Sequence, residues 1–128
     1  MAERVKRVVD DLALRLIEFA ARIAKVVDAL PETRLGRHIA GQLVRCGTAG
    51  APNYAEARGS ESTKDFIHKL GICLKELRES QCWLELIVRA ELLPKARLDQ
   101  LLDESDQLIA ITVKSIATAK SRRKAANK

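Results

Sequence analysis

Residues 5–30 read VKRVVDDLALRLIEFAARIAKVVDAL, and their apolar positions decide the fold. Val5, Val9, Leu12, Leu16, Phe19, Ile23, Val26 and Leu30 follow at steps of 4, 3, 4, 3, 4, 3 and 4. Such steps keep one stripe of an α-helix apolar along its whole length. Val8, Ile17 and Val27 widen the stripe beyond a two-stranded seam, as a bundle helix requires. Pro31 cannot continue the helix and closes it.

Outward from this stretch the pattern recurs three times. A second helix opens at Thr33, a good N-cap, and runs to about Arg58 along Leu35, Ile39, Leu43, Cys46 and then Ala49 or Gly50. Gly59-Ser60-Glu61-Ser62 breaks the chain, and Ser62 with Asp65 forms a weak capping box for the third helix. That helix reads Phe66, Leu70, Leu74, Leu77, Gln81, Leu84 and Val88, ending before Pro94, which suits the first turn of a fourth. The fourth carries Leu98, Leu102, Ser105, Ile109, Thr112 and Ile116, with Leu101, Leu108 and Ile111 beside them. Short connections make consecutive helices antiparallel neighbours. The expectation is an all-α, up-down-up-down four-helix bundle over residues 1–119, followed by a basic C-terminal tail over 120–128.

Composition agrees. The 128 residues are 31% charged and only 3% aromatic, a helical-bundle mixture. No apolar run reaches the ~18 residues that would span a bilayer, and the N-terminus lacks the apolar core of a secretory signal. Cys46, Cys73 and Cys82 form no CxxC and are odd in number, which suits buried, reduced thiols in a cytoplasmic protein.

Charge is unevenly placed. Of 23 basic side chains against 17 acidic, Lys120, Arg122, Arg123, Lys124 and Lys128 fall in the last nine residues without an acid. Such a run suits either a solvated helix end, where cations complement the dipole, or nucleic-acid contact. A second asymmetry lies between Glu32 and Glu56, where Arg34, Arg37, His38 and Arg45 share one helix face with no acid. Repeated around a ring of subunits, that stripe would attract phosphates.

The segment from Arg45 to Ala57, RCGTAGAPNYAEA, places two glycines and a proline inside a helical pattern. Each glycine costs about 1 kcal/mol there and a proline about 3 kcal/mol. With the turn centred near Ser60, Gly71 stands level with Ala49 and Gly50, and Cys73 or Leu74 with Cys46 and Gly47. The second and third helices are therefore expected to approach closely, with Pro52 bending the second just beyond.

The same segment resembles the signature R-x-G-T-(S/A)-x-x-x-N-Y-x-E-A of the four-helix-bundle proteins encoded in intervening sequences of bacterial 23S ribosomal RNA genes. That family includes the accessory variability determinants of diversity-generating retroelements. The resemblance continues through Ser62-Thr63-Lys64-Asp65-Phe66, Lys69-Leu70, Leu74-Lys75-Glu76 and Trp83-Leu84-Glu85-Leu86, covering roughly residues 34–93. It implies a homopentameric barrel. In retroelement members it also implies a basic surface that binds nucleic acid and a reverse transcriptase as partner. Intervening-sequence members have no known biochemical role. This chain departs from the pattern at Pro52 and at Cys46.

Gly47, Asn53, Tyr54, Glu56, Lys69, Gly71, Glu76, Glu79 and Trp83 carry the signature. The polar ones read either as a binding cluster or as structural partners, within the chain or between subunits; no nucleophile or base pair accompanies them. A di-metal bundle site needs two Glu-x-x-His pairs, and neither His38 nor His68 has a glutamate at that spacing. The reading is therefore non-enzymatic, without metal or cofactor. With few aromatics for base stacking, nucleic acid would be held through phosphates, by Arg34, Arg37, Arg45, Arg58, Lys64, Lys120, Arg122, Arg123 and Lys124. The alternative is a protein-interaction homo-oligomer that ignores nucleic acid.

Overall fold

The computed structural model describes residues 10–127, and within them every regular element is helical. The elements are α1 (Asp11–Ala29), α2 (Arg34–Gly47), α3 (Gly50–Arg58), α4 (Thr63–Arg89) and α5 (Lys95–Ala126). Helices α2 and α3 are two halves of one bundle helix. Around the bundle, α1 packs on α2/α3 and α5, and α4 packs on α2/α3 and α5. This is the four-helix up-down-up-down arrangement expected from the seams. Val5 and Val9 of the first seam, Val8 beside it, and Lys128 of the tail lie outside the described residues.

The helix boundaries have local causes. Asp10 caps α1, its carboxylate accepting the Ala13 amide at 2.7 Å, and Leu30, extended ahead of Pro31, ends it. Thr33 Oγ1 accepts the Gly36 amide at 3.0 Å, and Ser62 Oγ accepts the Asp65 amide at 3.1 Å. The Gly36 position tolerates no side chain, because a Cβ there would lie 2.0 Å from the Pro31 carbonyl oxygen. Between α4 and α5 the chain turns through Glu91, which adopts a left-handed φ of 57°. The Leu92 amide donates to the Ile87 carbonyl at 3.0 Å, closing the helix end.

The break in the second bundle helix falls at Thr48–Ala49, ahead of Pro52 rather than at it. A proline has no N–H for the carbonyl four residues back, here that of Thr48, and its ring collides with it. The chain escapes by ending α2 early and placing Pro52 in the first turn of α3, where no amide is needed. The loose ends are tied locally. Thr48 Oγ1 donates to the Val44 carbonyl at 2.6 Å, and Asn53 Nδ2 donates to the Ala49 carbonyl at 2.9 Å.

The glycines of the second and third bundle helices do not face each other as expected, although Gly50 does pack beside Cys73 and Leu77 of α4. Gly71 is exposed, with nothing within 4 Å of an added Cβ. Gly47 instead packs on α1, where an added Cβ would meet Ile23 Cγ2 at 2.6 Å. Gly50 sits nearest Leu16 of α1, with Cys73 and Leu77 behind. Level alone does not bring residues together. At about 100° per residue Gly71 points away from the face carrying Leu70 and Cys73.

The core faces are also rotated slightly from the expected seams. On α4 the buried line is Leu70, Cys73, Leu77, Ser80, Leu84 and Ile87, so Leu74, Gln81 and Val88 are flanking positions. On α5 Leu98, Leu101, Ser105, Leu108 and Thr112 are buried, and Leu102, Ile109 and Ile116 flank them. Ile17 and Leu35 face solvent, 53% and 41% exposed, and Gly36 takes the inward place beside Leu35. The buried hydroxyls of Ser80, Ser105 and Thr112 bond to carbonyls of their own helices at 2.7–2.8 Å, so none is orphaned.

Candidate nucleic-acid interface

The antiparallel order brings the α3–α4 turn and the end of α5 to one end of the bundle. There Lys64, Arg122 and Arg123 line one open cavity with Ser62, Thr63, Ala126 and Asn127. An adjoining cavity joins Arg58, Ser60, Glu61 and Phe66 to Ala119 and Arg122. Lys120 and Lys124 border a shallow groove with Arg123 and Asn127. The expected tail is thus helical through Ala126 and continues α5. Sequence distance hid this grouping; the bundle topology creates it.

Arg58 does not stand alone, because its Nε lies 3.4 Å from Asp10 Oδ2. The same carboxylate oxygen accepts the Tyr54 hydroxyl at 2.7 Å. Burial pushes the Asp10 carboxyl upward, but the Ala13 amide, the Tyr54 hydroxyl and the Arg58 guanidinium hold it below the usual range. Burial, then the bond to Asp10, pushes the Tyr54 phenol up to about 12. Asp10 escaped the sequence reading because the helix was begun at Val5. The missed signal was an aspartate directly ahead of an apolar periodic run.

The other predicted cations lie elsewhere. Arg34 and Arg37 occupy the first turn of α2, at the opposite end, roughly 35 Å from Arg58 at 1.5 Å per residue. Arg37 Nη1 donates to the Glu32 carbonyl at 3.0 Å. Arg45, halfway along, turns to α4. It pairs with Glu76 at 3.3 Å and with Glu79, and bonds Gln42 at 3.2 Å. The acid-free stripe of the second helix is therefore met by carboxylates of α4 at Arg45.

Most signature residues join helices within the chain. Lys69 pairs with Glu56 at 2.6 Å, linking α3 to α4. Trp83 donates from Nε1 to Glu79 at 3.1 Å and meets the His38 ring edge-on, centroids 5.7 Å apart. Tyr54 is buried in the core. A further clip, Arg15 to Glu104 at 2.8 Å with Gln107 at 2.9 Å, ties α1 to α5 and had no sequence signal.

Cys46 and Cys73 are buried and Cys82 is exposed. Burial pushes the Cys46 thiol up and the Cys73 thiol up to about 11, so neither is a ready nucleophile. Among the described residues no three His, Cys, Asp or Glu side chains converge to hold a metal ion, and no helix is long and apolar enough to cross a membrane.

Residues 12–114 match the sequence model of the 23S rRNA-intervening sequence proteins. The chain belongs to that family. A crystal structure of a protein with unknown function from the S23 ribosomal protein family of Bacteroides thetaiotaomicron is similar. It shares 30% identity at a TM-score of 0.77, over 82% of this chain and 97% of that one. No functionally curated protein matches. The family match ends before Lys120, so the helical basic end of this 23S rRNA-intervening sequence protein is additional to the matched region.

Proposed function

We propose that this chain is a non-enzymatic, cytoplasmic nucleic-acid-binding bundle that acts as a homo-oligomer and grips phosphates at its basic end. The observation that carries the reading is the convergence of Lys64, Arg122 and Arg123, from two helices, on one open cavity. Arg58 and, at the far end, Arg34 and Arg37 extend the surface a strand would follow. Tyr54 and Trp83 are engaged inside the bundle, which favours phosphate contact over base stacking. The resemblance to accessory variability determinants adds a five-fold ring and a reverse-transcriptase partner to the proposal.

Three phosphate contacts give a salt slope near −2.7 on duplex, so affinity falls about 40-fold between 50 and 200 mM salt. Fluorescence anisotropy with a labelled RNA–DNA duplex measures this. Lys64→Glu with Arg122→Glu and Arg123→Glu should weaken binding at least tenfold and flatten the slope, with helicity unchanged by circular dichroism. Unchanged affinity in that triple variant overturns the site. Loss on Arg34→Glu with Arg37→Glu while the triple variant binds normally would move the site to the other end.

One observation favours a protein-interaction scaffold. Leu14 and Ile17 of α1 and Val44 of α2 are 48%, 53% and 41% exposed. Leu14 and Ile17 share an outer helix face with Ala21 and Ala24, a surface suited to a sister subunit. An oligomer that ignores duplex at every salt concentration would make this the better reading.

A further inference from the structure

We infer that the outer face of α5 is a self-complementary surface that pairs antiparallel with α5 of a second copy across a two-fold axis. The face is a stripe at alternating steps of 4 and 3, and every position in it is exposed. It begins with Asp99, Asp103 and Asp106, continues through Ala110, Val113 and Ala117, and ends with Lys120 and Lys124. No acid follows Asp106 anywhere in the sequence, so the two ends carry opposite charge.

Antiparallel pairing about a point between Ala110 and Val113 sets Asp103 opposite Lys120 and Asp99 opposite Lys124. Because the contact is isologous, each pair occurs twice. Ala110 and Ala117 are small enough for the helix axes to approach to about 8 Å, with Val113 as the apolar centre. Parallel pairing would stack aspartate on aspartate and lysine on lysine, so charge selects the antiparallel register. The intrachain partners of the acids are exposed and weak: Lys95 for Asp99 at 3.0 Å, and Gln107 for Asp103 at 2.9 Å. Gln81 of α4 donates to Asp106 at 2.6 Å, leaving Asp99 and Asp103 as the pairing acids. Among the described residues Lys120 and Lys124 make no ion pair. The surface is distinct from the α1/α2 apolar face. A ring built on that face would be doubled by the α5 contact, and a free protomer would become a dimer.

Charge exchange tests the pairing on the full chain. By light scattering at low salt, Asp99→Lys with Asp103→Lys should halve the mass, as should Lys120→Glu with Lys124→Glu. Either reversal turns four attractive pairs repulsive and should weaken the contact about a hundredfold. Mixing the two variants in equal amounts should restore the wild-type mass, since the pairing positions of one face then carry only lysines and those of its partner only carboxylates. Circular dichroism of each variant reports the fold separately. Variants that keep the wild-type mass, or a mixture that fails to regain it, overturn the proposal. Nucleic-acid binding is read independently, by anisotropy, and neither result decides the other.

Discussion

Replacing Gly47 by alanine tests the corrected packing of the bundle most sharply. An added Cβ would lie 2.6 Å from Ile23 Cγ2, 2.9 Å from Cγ1 and 3.1 Å from Cβ. Ile23 is fully buried and β-branched, so it cannot swing aside. Overpacking of this kind costs about 1–3 kcal/mol. The helix-propensity gain of alanine, up to about 1 kcal/mol, is reduced because Gly47 is the last residue of α2. Gly47→Ala should therefore destabilise by about 1–2 kcal/mol. Gly71→Ala meets nothing within 4 Å and should stabilise by about 0.5–1 kcal/mol. Ile23→Ala alone should cost about 2–5 kcal/mol, but it removes both γ carbons. On that background Gly47→Ala should be neutral or stabilising, a coupling of at least about 1 kcal/mol. Urea unfolding followed by far-ultraviolet circular dichroism, at fixed protein concentration, measures all four variants against wild type. Equal stabilisation by both glycine replacements, or simple additivity with Ile23→Ala, would refute the contact between α1 and α2.

Further expectations concern the capped end, the thiols and the α4–α5 turn. Asp10→Ala should destabilise by about 1–2 kcal/mol at neutral pH through loss of the α1 cap. The folded Asp10 carboxyl titrates below its unfolded value, so its contribution is present above about pH 3.9 and is lost as pH falls through the folded pKa. Unfolding curves of wild type and variant should therefore converge in acid. The single tyrosine, Tyr54, should ionise with a midpoint of about 12 in the native protein; ultraviolet titration should show that midpoint falling when Asp10 is removed. A thiol reagent should label Cys82 rapidly and reach Cys46 and Cys73 only on unfolding; fast native labelling of all three would contradict the core. Glu91→Gly relieves a left-handed residue and should raise stability by about 0.5–1 kcal/mol in the same urea assay.

Periodicity, caps and breakers are local, and they were legible in the sequence. Heptad steps through Leu16, Phe19, Ile23 and Val26 identified α1, Thr33 and Ser62 marked two helix starts, and short connections dictated antiparallel order. The polar half of the signature was readable as residue types but not as pairs. Whether Glu76 and Glu79 serve a ligand, a neighbour or Arg45 depends on the rotation of α4 about its axis. That rotation is a tertiary quantity, set by which apolar stripe buries most completely against three other helices at once. Keeping Leu70, Leu77 and Leu84 but exchanging Leu74, Gln81 and Val88 for Cys73, Ser80 and Ile87 leaves the heptad pattern intact while turning the buried face by about 50°. It was enough to bring Cys73, Ser80 and Ile87 inward and leave Gly71 in solvent. The basic end arose the same way. Lys64 and Arg122 meet because α4 and α5 return to one end of the bundle, and no local rule links them. Sequence thus determined that there are four amphipathic bundle helices and most of their ends, though not the break at Thr48–Ala49 or the run of α5 through Ala126; packing decided which side of each faces the core, and with it which charges converge.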